Sequence, residues 1–190
     1  MLKKKTSLIG AMVVALTFPA LADGPTGTPQ APKAKLGQAL FFDASLSSPP
    51  GQSCATCHAA SAAFTDPNRE SPVSKGVIPG RAGNRNAPTA MYASFSPNFH
   101  FDEKEGLYVG GQFLDGRAAT LEEQAKGPFL NPLEMANPDK QAVVEKVRRA
   151  AYAPQFDSIF GKGALDDAEL AYARIAEAVA TFERTRQFSP

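Results

Sequence analysis

The two cysteines of this 190-residue chain and one of its two histidines stand together, in the run CATCH at residues 54–58. Four kinds of site use a Cys-x-x-Cys pair: a zinc centre, a redox-active dithiol, a structural disulfide and a covalent haem. A zinc centre needs about four ligands, and outside this run only the distant His100 remains. A redox dithiol expects a βαβ context, whereas loops and helical patterns surround the run. A disulfide leaves His58 unused, and so short a loop removes little chain entropy.

Attachment of c-type haem is the interpretation that uses all three side chains. Two thiols three positions apart lie on one helical turn, where each can form a thioether to one of the two vinyl groups of a haem. The imidazole that follows then reaches the iron. The sequence therefore predicts one covalent haem c, tethered by Cys54 and Cys57, with His58 as its axial ligand.

The N-terminal residues have the pattern of a secretory signal peptide. Three lysines at positions 3–5 precede an apolar run from Leu8 to Leu21, and small residues stand before Asp23. Cleavage after residue 22 removes three of the 20 basic residues and none of the 19 acids, which leaves a net charge of −2. We therefore expect an exported, periplasmic protein without a membrane anchor, and the charge does not favour nucleic-acid binding.

The remaining sequence predicts an all-α domain of helices and long loops. Residues 23–34 are rich in Pro and Gly and predict a flexible leader, and the haem domain is expected over residues 35–190. The apolar spacing that starts at Leu36 predicts a first helix, and residues 64–83 predict a long irregular loop. A short helix is expected over residues 88–95.

Helix starts are predicted from local capping patterns. Thr120 with Glu123 has the form of a capping box, Asn137 with Pro138 resembles an N-cap followed by a first helical residue, and Asp166 or Asp167 is expected to cap the last helix. The buried side of that last helix is predicted to carry Tyr172, Ile175, Val179 and Phe182.

Several motifs, in order, resemble the bacterial di-haem cytochrome c peroxidase family, which includes the MauG-type enzymes. The resemblance extends from about Leu36 to Pro190. The shared motifs are LGQALFFD at 36–43, CATCH at 54–58, NAPT at 86–89, DGRA at 115–118, EQA at 123–125 and NPLEM at 131–135. The segment FHFDEKEGLYVGGQ at 99–112 is closer to the MauG-type branch. The resemblance implies a cytochrome c-like fold holding the peroxidatic haem.

The resemblance also implies site residues. It places Gln124 and Glu134 on the distal side of the haem, where Gln124 would position hydrogen peroxide and Glu134 would act as acid and base. Arg117 is expected to pair with a haem propionate, or only with Asp115. Asn86 matches a position that helps to bind calcium in relatives. A donor cytochrome or cupredoxin is the implied source of electrons.

Three departures from the family pattern leave alternatives open. The loop at 74–77 lacks the removable histidine of some relatives, so an open sixth iron position is expected. Leu114 replaces the Trp that passes electrons between haems in the family. The chain also stops where relatives continue into a second haem domain, so it is a truncated or split form, with a second haem domain or subunit as a possible partner, or a free-standing mono-haem relative. The alternative is a non-catalytic electron carrier whose sixth ligand is Met91, Met135 or His100.

Overall fold

The computed structural model describes residues 30–190, so the predicted signal peptide at 1–22 lies outside the described residues, as does most of the predicted leader. The described part is mainly helical, which confirms the predicted all-α class. Its helices are α1 (Gln30–Phe42), α2 (Cys54–Cys57), α3 (Leu121–Leu130), α4 (Lys140–Arg148), α5 (Pro154–Phe160) and α6 (Ala168–Glu183), and one antiparallel hairpin joins β1 (His100–Asp102) to β2 (Leu107–Val109). Among residues 30–190, no helix is both long and apolar enough to cross a bilayer.

The first helix begins earlier than the composition predicted. Residues 30–34 were assigned to the flexible leader, but they form the first turns of α1. Pro32 is compatible with this position because the first N–H groups of a helix have no intrahelical partner. The ammonium group of Lys33 is hydrogen-bonded to Glu177 of α6, which ties the start of α1 to the rest of the domain.

The helices α1 and α6 form the centre of the core, and their backbones approach closely at Gly37. A Cβ atom built on Gly37 would lie 1.9 Å from the carbonyl oxygen of Ala178, so only glycine fits this crossing. Apolar side chains from both helices surround the contact: Leu36, Leu40, Phe41, Tyr172, Ile175, Val179 and Phe182. The predicted buried side of α6 is confirmed.

Two of the predicted helix caps are confirmed. The Thr120 hydroxyl accepts a hydrogen bond from the backbone N–H of Glu123 at 3.2 Å, and α3 begins at the next residue. The carboxylate of Asp167 accepts from the backbone N–H of Leu170 at 2.8 Å, so Asp167 rather than Asp166 caps α6. These bonds satisfy N–H groups that the helix itself leaves unpaired.

The prediction that Asn137 caps α4 is wrong. Asp139 is the cap, and its carboxylate accepts from the backbone N–H of Ala142 at 2.7 Å. Asn137 is instead buried, and its amide donates to the carbonyl oxygens of Leu46 and Phe129, both at 2.8 Å. The amide joins two distant segments, which local spacing does not reveal.

The short helix expected over residues 88–95 is reduced to a 3₁₀ turn at Ala93–Phe95. The Thr89 hydroxyl accepts a hydrogen bond from the backbone N–H of Met91 at 3.0 Å. Such local side-chain bonds compete with helical hydrogen bonding. Tyr92, which follows, has a φ of 61°, a left-handed conformation that interrupts any helix.

The predicted irregular loop at residues 64–83 packs against the segment that follows α3. The backbone N–H of Val77 donates to the carbonyl oxygen of Glu134 at 2.9 Å. A Cβ on Gly76 would lie 2.4 Å from the carbonyl oxygen of Leu133, so glycine allows the two segments to touch. The loop thereby fixes the backbone from which the Glu134 side chain projects.

Candidate active site

A cavity of about 350 Å³ brings together residues from distant parts of the sequence. Its wall includes α2, the 84–90 segment, the 111–117 loop, one face of α3, the turn after α3 and the end of α6. All seven residues predicted for a cofactor, metal or catalytic role contribute to it: Cys54, Cys57, His58, Asn86, Arg117, Gln124 and Glu134. The individual roles of these residues remain predictions, but their shared location is a feature of the fold.

Helix α2 is a single turn that presents both cysteines to the cavity. The backbone N–H of His58 donates to the carbonyl oxygen of Cys54 at 2.9 Å, which closes the turn. Burial raises the pKa of each cysteine thiol above its ordinary value. Redox-active dithiols depend on a lowered thiol pKa, so these thiols do not have the electrostatics of that class.

The ring of His58 is held by the loop that follows it. Its Nδ1 lies 3.0 Å from the carbonyl oxygen of Phe64. The tautomer that satisfies this carbonyl has Nδ1 protonated, which leaves the lone pair of Nε2 free for a metal. Burial lowers the pKa of His58 and favours the neutral form that binds iron. The Phe64 ring is itself buried against Phe188, with 4.0 Å between centroids.

The carboxylate of Glu134 is positioned by a turn that Asn131 organises. The side-chain oxygen of Asn131 accepts from the backbone N–H of Leu133 at 3.0 Å, and its amide donates to Glu134 at 2.6 Å. Burial raises the pKa of Glu134 above its ordinary value, although the Asn131 bond and the Arg117 charge lower it in part. Sequence reasoning missed Asn131 as a supporting residue, but the Asn-Pro pair after a helix was a signal for such a turn.

Gln124 projects from the face of α3 that lines the cavity. Leu121, Ala125 and Pro128 share this face, as their three- and four-residue spacing requires. The cap at Thr120 sets where α3 begins, and the packing of its buried residues Leu121, Ala125 and Phe129 sets which side chains point inward. Gln124 thus shares the cavity wall with Glu134, ten residues further along the chain.

Arg117 pairs with Asp115, which was the alternative to a haem propionate in the sequence analysis. Its guanidinium donates to Asp115 at 2.8 Å and lies over the Phe113 ring, 3.6 Å from the centroid. Asp115 also accepts from Arg85 at 2.7 Å, and these two hydrogen bonds lower the pKa of Asp115 to about 2. Because Arg85 and Arg117 both line the cavity, two positive charges and one negative charge lie at this part of its wall.

The three candidates for a sixth iron ligand, Met91, Met135 and His100, lie in different environments. Met135 is 3% exposed and lines the cavity, whereas Met91 and His100 do not contribute to its wall. His100 is exposed on the hairpin, and its Nδ1 lies 2.8 Å from the carbonyl oxygen of Asn98. Within residues 30–190, no group of three or more His, Cys, Asp and Glu side chains is arranged to hold a metal ion.

Sequence reasoning missed three buried polar residues of the cavity wall, Gln52, Ser74 and Glu183. In each, one side-chain oxygen has no hydrogen-bond partner among the described protein groups. Buried polar atoms are normally paired, so these three oxygens are exceptions among the described residues. The sequence did contain a signal for the burial of Glu183, because this residue lies four positions after Val179 on the buried stripe of α6.

These features define a mainly helical domain suited to covalent c-type haem, with two thiols, an imidazole with a free Nε2 and a cavity beside them. The chain belongs to the di-haem cytochrome c peroxidase family, whose model matches residues 31–189. The family resemblance inferred from the motifs is thereby confirmed.

Individual relatives agree with this assignment. The methylamine utilization protein MauG of Paracoccus denitrificans is 49% identical over 162 residues, which cover 83% of this chain and 41% of MauG. The cytochrome c peroxidase Ccp of Escherichia coli is 35% identical over 156 residues, covering 82% of this chain and 29% of Ccp. The crystal structure of the diheme peroxidase BthA from Burkholderia thailandensis matches with a TM-score of 0.78 and 34% identity, covering 83% of this chain and 39% of BthA. The chain thus spans less than half the length of these relatives.

Proposed function

We propose that this chain forms the peroxide-reducing haem site of a periplasmic c-type peroxidase. The observation that carries the proposal is the convergence of Cys54, Cys57 and His58 with Gln124 and Glu134 on one cavity. Export is supported by the pattern of residues 1–22. The peroxidases and MauG proteins among its relatives support the reaction class.

Haem attachment is assigned to α2 and the residue after it. The sulfur atoms of Cys54 and Cys57 would form the two thioethers, and Nε2 of His58 would bind the iron while Nδ1 keeps its bond to Phe64. The haem would supply the iron at which electrons reach the peroxide. Arg117, together with Arg85, is proposed to pair with the haem carboxylates in place of Asp115, to which both guanidinium groups donate in this structure.

Peroxide reduction needs a group that moves protons between the two oxygen atoms. Glu134 is proposed to accept a proton at its carboxylate from one oxygen and to deliver it to the other, which leaves as water. Its bond from Asn131 holds one carboxylate oxygen and leaves the other for the substrate. Gln124 is proposed to orient the peroxide through its side-chain amide. Each peroxide consumes two electrons and two protons and yields two molecules of water.

Electrons are proposed to come from a donor cytochrome or cupredoxin, through a second haem domain or subunit where one is present. The family is described as di-haem, and the chain covers about 40% of its relatives. Asn86, on the cavity wall, is proposed to contribute to a calcium site completed by that second domain. Calcium prefers six to eight oxygen ligands, so one amide oxygen requires partners from elsewhere.

A second candidate function is a mono-haem electron carrier, favoured by the place of Met135. This buried thioether lines the same cavity, and a methionine sixth ligand is typical of electron-transfer cytochromes. The absorption and EPR spectra of the haem-loaded protein separate the two functions. A high-spin ferric haem that reacts with hydrogen peroxide supports the peroxidase, whereas a low-spin haem that is indifferent to peroxide supports the carrier.

Substitutions test the roles within the cavity. Haem content is measured as the pyridine haemochrome, and the rate of the peroxide-induced absorbance change by stopped flow. We expect Cys54→Ala with Cys57→Ala to abolish covalent haem. Glu134→Gln should retain haem and slow the peroxide reaction by about 10²–10⁴-fold, the usual contribution of a general acid-base group. Gln124→Ala should also retain haem and slow the reaction.

The matched control is Glu169→Gln, which removes an exposed carboxylate of α6 that pairs with Lys140. This variant should react with peroxide at the wild-type rate. A wild-type rate in Glu134→Gln would refute the assigned distal role, even if the haem is bound as proposed.

A further inference from the structure

Glu183 is a buried acid on the wall of the cavity that the proposed reaction does not use. It is the last residue of α6 and is 7% exposed. Its Oε2 atom is inaccessible and has no hydrogen-bond partner among the described protein groups. A buried acid that served only helix packing would normally have its oxygens paired, so this oxygen calls for another explanation.

The surroundings of Glu183 oppose a negative charge. Burial raises its pKa to about 8, with a smaller increase from Glu122 and an opposing decrease from Arg184. The guanidinium of Arg184 is already hydrogen-bonded to Glu122 at 2.6 Å, so it does not neutralise Glu183 by direct pairing. The C-terminal end of a helix also carries a partial negative charge.

The other charged or titratable groups near the end of α6 complete this environment. Cys54 of α2 lines the same cavity as Glu183. Burial is the main cause of the raised pKa of its thiol, and the charges of Glu183 and, more weakly, Glu134 raise it further. From α1, Lys33 is already hydrogen-bonded to Glu177, six positions before Glu183 on α6. Within residues 30–190, Glu183 therefore has no dedicated cation of its own, and it shares the cavity wall with a proposed haem-attachment residue.

A haem attached at Cys54 would change its charge next to this carboxyl group. Reduction from ferric to ferrous adds one negative charge to the cofactor, which makes an adjacent carboxylate less stable. Ferric haem, with one more positive charge, favours the ionised carboxylate. A buried acid without its own cation responds strongly to such a change because water does not screen it.

We propose that Glu183 is a proton-accepting group coupled to the reduction of the haem held in this cavity. When the one-electron donor reduces ferric haem, Glu183 takes one proton from solvent through the cavity, and the proton is released when the haem is reoxidised. Electron and proton together leave the net charge of the cavity unchanged. The inference rests on the proposed haem site and concerns how easily that haem is reduced.

The test is redox potentiometry of the full-length, haem-loaded protein at a series of pH values. In the wild type, the midpoint potential should fall with pH in the range around pH 8, with a slope of one proton per electron. Glu183→Gln is isosteric and neutral, so its potential should lose this pH dependence and match the high, low-pH potential of the wild type. Glu177→Gln removes an acid from the same helix and should retain the wild-type slope.

Redox difference infrared spectroscopy gives a second measurement. A carboxyl C=O band should appear on reduction of the wild type near pH 8 and be absent in Glu183→Gln. A wild-type midpoint potential independent of pH around 8 would refute the coupling, even if the variant failed to fold. The coupling would also be refuted if the midpoint potential of Glu183→Gln depended on pH with the same slope as that of the wild type.

The outcome for Glu183 is separate from that for the haem site. Haem content and attachment are measured first, as the pyridine haemochrome. A protein with covalent haem but no Glu183-dependent slope overturns only the role of Glu183. A chain that attaches no haem overturns the proposed site and the inference together.

Discussion

Replacing Gly37 by alanine tests whether the contact between α1 and α6 supports the fold. The added Cβ would lie 1.9 Å from the carbonyl oxygen of Ala178 and 2.6 Å from its carbonyl carbon. Ordinary contacts begin near 3.4 Å, so the two atoms must separate by about 1.5 Å. Both sides of the contact are close to backbone, so a rotamer change cannot relieve it and the helices themselves must move apart.

Two opposing effects determine the magnitude. Overpacking of a well-packed core costs about 1–3 kcal/mol, and the backbone contact places Gly37→Ala at the upper end. Alanine is favoured over glycine within a helix by about 1 kcal/mol, so the net loss in the free energy of unfolding is about 2 kcal/mol. For a domain of this size, 1 kcal/mol corresponds to about 2–4 °C, so Tm should fall by about 4–8 °C.

Thermal and denaturant unfolding followed by far-UV circular dichroism measure this effect on the haem-loaded protein. The matched control is Gln38→Ala, which changes an exposed residue of the same helix. We expect this control to lie within about 0.5 kcal/mol of the wild type. A Gly37→Ala protein as stable as the wild type, or more stable, would show that helix propensity outweighs the contact and would refute the reasoning.

Two further predictions concern a buried amide and the pH dependence of the reaction. Asn137→Ala removes the side-chain donor of the Leu46 carbonyl oxygen and the acceptor of the Lys146 ammonium group, whereas the Phe129 carbonyl oxygen keeps its bond from the backbone N–H of residue 137. A buried group left unpaired costs about 1–3 kcal/mol, so the free energy of unfolding in urea should fall by about that amount, and a loss smaller than about 1 kcal/mol would contradict the assigned role. Because burial raises the pKa of Glu134 and its ionised form accepts the proton, the peroxide reaction rate should rise with pH through a midpoint above the ordinary glutamate value. Stopped-flow rates measure this profile, and its persistence in Glu134→Gln would assign it to another group.

The CATCH run was recognisable from sequence as a candidate for haem attachment because the proposed chemistry is local. Cys54, Cys57 and His58 lie within five residues, and one helical turn is enough to place them together. The caps at Thr120 and Asp167 and the buried stripe of α6 were predicted for the same reason, since each depends on spacing within one helix. The signal peptide at 1–22 stays a prediction.

The prediction that Gln124 and Glu134 lie on the same side of the haem came from the family resemblance and not from residue spacing. Without the family resemblance, Gln124 has the pattern of an amide on a helix surface and Glu134 that of an acid in a loop. The fold places both on the cavity wall, because the buried residues of α3 set which of its faces points inward and the bond from Val77 holds the backbone of Glu134. Such contacts join residues far apart in the chain, so periodicity does not report them.

Which polar side chains are buried, and which groups they contact, depends on tertiary packing. Asn137 had the local pattern of a cap, yet it bonds two carbonyl oxygens in distant segments. Glu183 was one acid among nineteen in the sequence, and its burial beside Cys54 depends on how α6 packs. The turn that holds Cys54, Cys57 and His58 and the buried faces of the helices could be predicted from the sequence, because these follow from spacing along the chain. The packing of helices and loops decided the cavity, since its walls and its desolvation arise from contacts that spacing alone does not encode.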